Sequence, residues 1–255
     1  LFIREYTMTN GLEFFDLREQ TGFLRNMVVR TSSTGEVMLI IVFAYEDIEA
    51  RKALLDAVQA KFPEITSLHY VINGKRNDSI GDLEAIHYSG ADCIYEQMEG
   101  IKFRISPKSF YQTNSEQAYR LYSVVREFAE LKGDEIVYDL YTGTGTIGLF
   151  LSGKAQKVVG IEYVKEAIDD AKINAQNNGI TNSFFYAGDM KDMLTGEFIK
   201  QNGKPDLVVL DPPRAGIHQD VAKVLLEAAP PKMVYVSCNP ASQARDLAIL
   251  SEKYE

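Results

Sequence analysis

Five short stretches carry residue types suited to chemistry rather than to packing. In Asp139-Leu140-Tyr141-Thr142-Gly143-Thr144-Gly145-Thr146-Ile147-Gly148, glycines at 143, 145 and 148 follow an apolar run. Glycines at such a turn let the backbone approach a nucleotide-like ligand with no Cβ in the way. A nicotinamide site uses the same spacing, so the glycines alone leave the ligand open. Glu162 follows about 20 residues later, where a carboxylate can accept from both hydroxyls of a ribose; an acid at a helix N-terminus is the plainer reading, but the location at a strand end favours ribose binding. Asp189, in Ala187-Gly188-Asp189, is placed to accept from an adenine amino group, although Gly-Asp is also an ordinary turn. In Leu210-Asp211-Pro212-Pro213-Arg214, two prolines fix φ and stiffen a loop that presents Asp211. Cys238 sits in Val236-Ser237-Cys238-Asn239-Pro240. A lone cysteine is most often a small buried hydrophobe, which is how Cys93 reads. Cys238 instead follows an apolar strand and precedes a Pro-containing turn, and a thiolate in a polar, partly exposed setting is a nucleophile.

These stretches need elements that bring them to one edge. Thr113-Asn114-Ser115-Glu116 reads as a capping box opening a helix with Ala118, Leu121, Val125 and Phe128 at core spacing, ended by Gly133. Apolar runs and amphipathic stretches then alternate: Ile136–Tyr141, Ile147–Leu151, Val158–Tyr163, Lys165–Asn177, Phe184–Tyr186, Leu207–Leu210, Gln219–Ala229 and Met233–Ser237. That alternation predicts a parallel sheet covered on both faces, with its ligand at the carboxyl ends of the strands. Every stretch named above lies at such an end.

Residues 1–105 read differently, as a small α+β domain. Strands are expected over Asn26–Arg30 and Val37–Phe43, a helix over Glu46–Phe62 with Ile48, Leu54, Leu55 and Val58 on one face, and strands near Ser67–Ile72 and Ala85–Ser89. The second domain takes in 106–255.

Net charge is −9, where a stand-alone nucleic-acid binder is usually basic. Neither half compensates: residues 1–105 carry −5 and the remainder −4. Arg18, Arg25, Arg30, Lys75 and Arg76 are candidate phosphate contacts, with solvated surface charge the commoner reading. His69, His87 and His218 have no metal-ligand spacing. Two cysteines support neither a disulfide framework nor a zinc site, which points to a reducing, cytoplasmic setting. No apolar run approaches the roughly 20 residues of a membrane span. Leu1-Phe2-Ile3-Arg4-Glu5 has no signal-peptide layout, Ser251–Glu255 has no helix-end signature, and both ends read as cut from a longer chain.

The Asp-Pro-Pro element separates the candidates, because nicotinamide enzymes have no use for it, whereas methyltransferases acting on planar base atoms commonly carry it. Phe110-Tyr111-Gln112-Thr113-Asn114, Asp139-Leu140-Tyr141-x-Gly143-x-Gly145, Asp211-Pro212-Pro213-Arg214 and Ser237-Cys238-Asn239-Pro240, in that order, resemble the RNA uracil-5-methyltransferases that modify bacterial 23S ribosomal RNA or transfer RNA. Thr9–Glu13 and Gly22–Arg25 resemble that family's central segment. The resemblance implies a Rossmann-like class I S-adenosylmethionine-dependent methyltransferase sheet behind the small α+β domain, which would face RNA. It implies a methyl-donor site of Gln112, Tyr141, Gly143, Gly145, Thr146, Glu162, Asp189 and Asp211, with Thr146 standing where the family often has Asn.

By the same resemblance Cys238 adds as a thiolate to carbon 6 of a uridine. Carbon 5 becomes an enolate carbon able to take a methyl group. Asp211 holds the imide edge or a protonated oxygen 4 of the base. A general base then removes the hydrogen on carbon 5 and the sulfur leaves. The target base must leave its stack. In the family the general base is a glutamate downstream of the cysteine, here beyond Glu255. The ribosomal branch also carries an RNA-binding barrel and a four-cysteine iron–sulfur cluster, for which this chain lacks the cysteines. The expectation is an EC 2.1.1 enzyme acting on RNA, ribosomal before transfer RNA. An amino-directed base methyltransferase, an inert RNA-binding fragment and, last, a nicotinamide oxidoreductase are the alternatives.

Overall fold

The computed structural model describes residues 1–254. They divide into two compact units, Leu1–Glu96 with Arg104–Lys108, and Gln97–Phe103 with Ser109 onward.

The first unit opens with α1 (Phe2–Thr9), followed by β1 (Leu24–Thr31), β2 (Val37–Phe43), α2 (Ile48–Lys61), β3 (Ser67–Ile72) and β4 (Ile86–Gly90). They form one sheet in the order β1-β2-β3-β4, antiparallel except for the parallel β2–β3 pair that α2 connects. Leu39, Ile41 and Phe43 on alternate positions of β2 pack against Leu54, Leu55 and Val58 of α2. Asp47, not Glu46, starts α2, accepting from the Ala50 amide at 3.0 Å. Ile48, expected on its buried face, is exposed. The first helix was not visible in the sequence: no side chain caps it and Thr7 is its one buried residue.

The polar turn after β3 is built on a cation. Arg25, its side chain 1% exposed, lies over the Phe15 ring and donates to the carbonyls of Asn73, Lys75 and Asn77 as well as pairing with Asp78. A guanidinium so consumed is a structural cap, and Arg30 likewise donates to the Ser106 carbonyl at 3.2 Å. Neither is the free phosphate contact the sequence allowed. His69 is buried against Ser67, His87 bonds the Gly90 carbonyl, and no metal-binding group of three occurs among the described residues.

β5 (Ile94–Met98) and β6 (Ile101–Ile105) form a hairpin absent from the sequence reading, and the division between the units runs through it. Glu96 points inward, 1% exposed, and accepts from the Ser33 amide. A buried carboxylate hides the alternation that marks a strand.

The second unit continues with α3 (Ser115–Ala129), β7 (Ile136–Leu140), α4 (Thr146–Ser152), β8 (Lys157–Glu162), α5 (Lys165–Asn177), β9 (Ser183–Ala187), α6 (Met190–Met193), α7 (Gly196–Asn202), β10 (Leu207–Leu210), α8 (Gln219–Ala228), β11 (Lys232–Tyr235) and α9 (Pro240–Leu250). The strands form one parallel sheet in the order β11-β10-β7-β8-β9. One face packs Val137, Val158 and Val209 against α3, α4 and α5. The other packs Tyr138, Val159 and Val208 against α6, α7, α8 and α9. Several points differ from expectation: α6, α7 and α9 are additional helices, and α3 ends at Ala129, short of Gly133. Asn114, one residue past the capping-box position, caps α3 by accepting from Gln117, and Phe128 is exposed. Ser237–Pro240 is a helix entry rather than a free turn: Asn239 caps α9 and Pro240 is its first residue, where the missing N–H costs nothing.

Strand order reverses between β7 and β10. That switch point is where a doubly wound sheet opens a crevice.

Candidate active site

The crevice is present. A small cavity is lined by Phe110, Tyr111, Gln112, Tyr122, Asp139, Tyr141, Thr142, Gly143, Thr144, Thr146, Ile147 and Asp211. Of the residues expected to bind a donor, Gln112, Tyr141, Gly143, Thr146 and Asp211 meet there.

The turn after β7 is held open by unusual backbone. Tyr141 has φ +64, a left-handed conformation costly for a bulky residue, and Gly143 has φ +55 with nothing within 4 Å of a built Cβ. Gly145 has a different task. At φ +80 it begins α4, and a Cβ there would lie 2.9 Å from the Phe185 ring, so this glycine serves helix–sheet packing. Asn174 of α5, fully buried, secures the turn by donating to the Thr144 carbonyl at 3.1 Å.

Asp139 is the residue that sequence reasoning left without a role. It lies next to the end of an apolar strand, is 1% exposed, and its Oδ2 accepts from Thr142 Oγ1 at 2.5 Å and the Gly148 amide at 2.9 Å. Its Oδ1 is buried with no partner, as is Thr144 Oγ1, and both residues line the cavity. Burial lifts the Asp139 carboxyl to about 7 despite those two bonds, with Asp211 and Glu162 adding repulsion. Burial likewise lifts Asp211 to about 6. Tyr141 is raised to about 12, chiefly by burial, against the pull of the His218 amide. A single acid inside Ile136-Val137-Tyr138-Asp139-Leu140 was the available signal.

Glu162 and Asp189 stand outside this cavity. Glu162 accepts from the Gly143 amide at 3.1 Å and the Val164 amide at 3.0 Å, so it braces the glycine turn from the end of β8. Asp189 caps α6 through the Lys191 amide at 3.1 Å and pairs with the Lys191 ammonium. Each keeps further acceptor capacity on its carboxylate.

Cys238 is exposed, whereas Cys93 is buried. Parallel pairing sets Tyr235 beside Leu210, and the Val236 amide donates to the Leu210 carbonyl at 2.7 Å. Asp211 and Cys238 therefore leave the carboxyl ends of neighbouring strands. The Asn239 side chain then donates to the Arg214 carbonyl at 2.9 Å, linking the two loops.

A five-stranded parallel sheet in this order, with a glycine turn and a carboxylate-lined cavity at its switch point, defines a Rossmann-like methyltransferase domain. The comparisons narrow the class. The chain belongs to the tRNA (uracil-5-)-methyltransferase family, whose model matches residues 84–255. It is 61% identical over 252 residues to an uncharacterized RNA methyltransferase of Porphyromonas gingivalis, covering 98% of this chain and 54% of that protein. A second, from Bacteroides thetaiotaomicron, is 57% identical over 256 residues, covering 99% and 56%. The crystal structure of Pyrococcus abyssi tRNA (uracil-54, C5)-methyltransferase in complex with S-adenosyl-L-homocysteine superposes with a TM-score of 0.79 at 31% identity, covering 97% of this chain and 58% of that one. The chain thus spans about half the length of the curated relatives it matches. No helix among the described residues is long and apolar enough to cross a membrane.

Proposed function

We propose that this chain transfers a methyl group from S-adenosylmethionine to carbon 5 of a uridine in RNA, with Cys238 as the nucleophile. The observation that carries the reading is the placement of Cys238 and Asp211 on adjoining strand ends, bridged by Asn239 and Arg214. Ribosomal RNA is the target proposed first. Transfer RNA is the second reading, favoured by the tRNA (uracil-54, C5)-methyltransferase named above.

The residues lining the crevice suit the donor. A buried, partnerless carboxylate oxygen on Asp139 suits a cationic ligand, and the open face of Gly143 leaves room for one against backbone. Gln112, Tyr141, Thr146 and Asp211 would hold the amino-acid and sulfonium end. Gly143, Glu162 and Asp189 would hold the ribose and adenine, with Gly145 keeping the turn in shape. The donor, when bound, supplies an electrophilic methyl group on a sulfonium.

The rest is the work of the protein's residues. The Cys238 thiolate forms a bond to carbon 6 of the uracil, and the displaced π electrons pass into the carbon 5–carbon 4–oxygen 4 system. Asp211, its carboxyl raised to about 6 by burial, hydrogen-bonds the imide edge or oxygen 4 as that charge grows. After methyl transfer a base takes the proton from carbon 5 and the carbon–sulfur bond breaks, restoring the double bond. The first unit, Leu1–Glu96 with Arg104–Lys108, would face the RNA.

Nucleoside mass spectrometry after incubation with donor and either RNA transcript tests the reading. The expected product is 5-methyluridine, free or still joined to Cys238. A methylated exocyclic amine would assign the chain to the amino-directed enzymes instead, and RNA binding with no methyl transfer to an inert RNA-binding fragment.

A further inference from the structure

The loop that follows β10 is fastened residue by residue to the helix that follows Cys238. Asn239 of α9's cap donates to the Arg214 carbonyl at 2.9 Å, and Arg245 Nη2 donates to the Ala215 carbonyl at 2.7 Å. Asp246 Oδ2 accepts from the Ile217 amide at 2.8 Å and from the Tyr235 hydroxyl at 2.6 Å. Its Oδ1 accepts from Arg245 Nε at 2.9 Å and Nη2 at 2.6 Å. Gly216, between these anchors, has φ +81, and any Cβ on it would overlap both the Asp246 carboxylate and the Arg245 guanidinium. The loop backbone therefore rests directly on the ion pair.

A surface ion pair between neighbours would mean little, since Arg245 is half exposed. Asp246 is different. It is fully buried, and its donors come from three elements: the Asp211 loop, the end of β11 and α9. Burial alone would push this carboxyl up, yet the bonds from Tyr235, Ile217 and Arg245 outweigh it and hold it below the usual range. A buried charge stays only where such partners are fixed.

We propose that Asp246, with Arg245, is a positioning clamp that sets the reach of the Asp211–Arg214 loop relative to Cys238. The inference rests on the reading that both residues act on one base. Its role is geometric: α9 begins at Pro240, two residues after Cys238, so one rigid helix fixes both sides of the base site.

Hydrogen–deuterium exchange across 214–218 and the rate of adduct formation with 5-fluorouridine RNA test it together. In the wild type the Ile217 amide is expected to be protected, and Asp246→Asn to speed its exchange at least about tenfold. The same change should slow adduct formation about 100-fold, because a displacement of an ångström is enough, while donor affinity stays within a few-fold. Should Asp246→Asn fail to fold, Arg245→Met removes the Ala215 tether and the ion pair to Asp246 while leaving the Ile217 and Tyr235 bonds, and should shift both readouts the same way, by less. A freely exchanging wild-type loop would overturn the clamp. So would a loosened loop with an unchanged adduct rate, or parallel loss of rate, donor affinity and melting temperature. A wild type that forms no adduct would defeat the nucleophile reading instead, and the exchange data would still decide the clamp.

Discussion

The side chain of Asn239 donates to the backbone carbonyl of Arg214 at 2.9 Å, so the helix entry bearing Cys238 and the loop bearing Asp211 are joined by a direct hydrogen bond. Everything proposed for the chemistry depends on that coupling, because a nucleophile and a hydrogen-bonding acid must reach the same base from two different strand ends.

The two glycines of the β7 turn should fail differently. Gly143→Ala meets open space and costs about 1 kcal/mol for its backbone alone, yet places a methyl where a donor would lie. Gly145→Ala drives a Cβ to 2.9 Å from Phe185 and 3.1 Å from Ala171, at a stability loss of about 2–3 kcal/mol. Melting curves and calorimetry with S-adenosylhomocysteine should therefore rank Gly145→Ala as the less stable variant and Gly143→Ala as the weaker binder relative to its stability. The opposite ranking contradicts the assignment.

Asp139 should leave a signature in pH. Its folded value of about 7, against 3.8, means that the folded chain binds the extra proton between those limits. Stability is therefore greatest below the unfolded value and falls as pH rises through the window. Asp211, raised to about 6, acts in the same direction. His69, held at about 4 chiefly by burial, acts oppositely, since its contribution is lost as pH falls from 6.5. Comparing wild type with Asp139→Asn cancels the other groups. From about pH 4.5 to about pH 7.5 the variant should gain a few kcal/mol on the wild type in denaturant unfolding. Parallel curves would show that Asp139 titrates normally.

Much of this site was legible as strand ends. Continuous apolar runs gave the parallel strands, and each chemically suggestive stretch followed one of them, so the sheet alone brings Tyr141, Gly143 and Asp211 to the cavity that Gln112 also lines. What was not legible is what depends on side chains bonding to distant backbone. Arg25 looked free and is spent on three carbonyls of a turn about 50 residues away. Asp189 looked like an adenine acceptor and also caps a short helix. The hairpin at β5 and β6 hid behind the buried Glu96, and α9 hid behind a proline that begins it rather than breaks a turn.

Asp211→Asn keeps the shape of the loop and removes the carboxyl. Adduct formation should slow between about 10- and 100-fold, the worth of one hydrogen bond to a developing charge. Stopped reactions with 5-fluorouridine RNA at saturating donor would measure it. An unchanged rate would remove Asp211 from contact with the base.

The most direct test is covalent capture by Cys238 itself. RNA carrying 5-fluorouridine has no hydrogen to lose from carbon 5, so methyl transfer should leave the base joined to the sulfur. Denaturing gels and peptide mass spectrometry should find a donor-dependent adduct on Cys238 in the wild type and none in Cys238→Ala. Equal labelling of the variant, or an adduct mapped to another residue, would contradict the account.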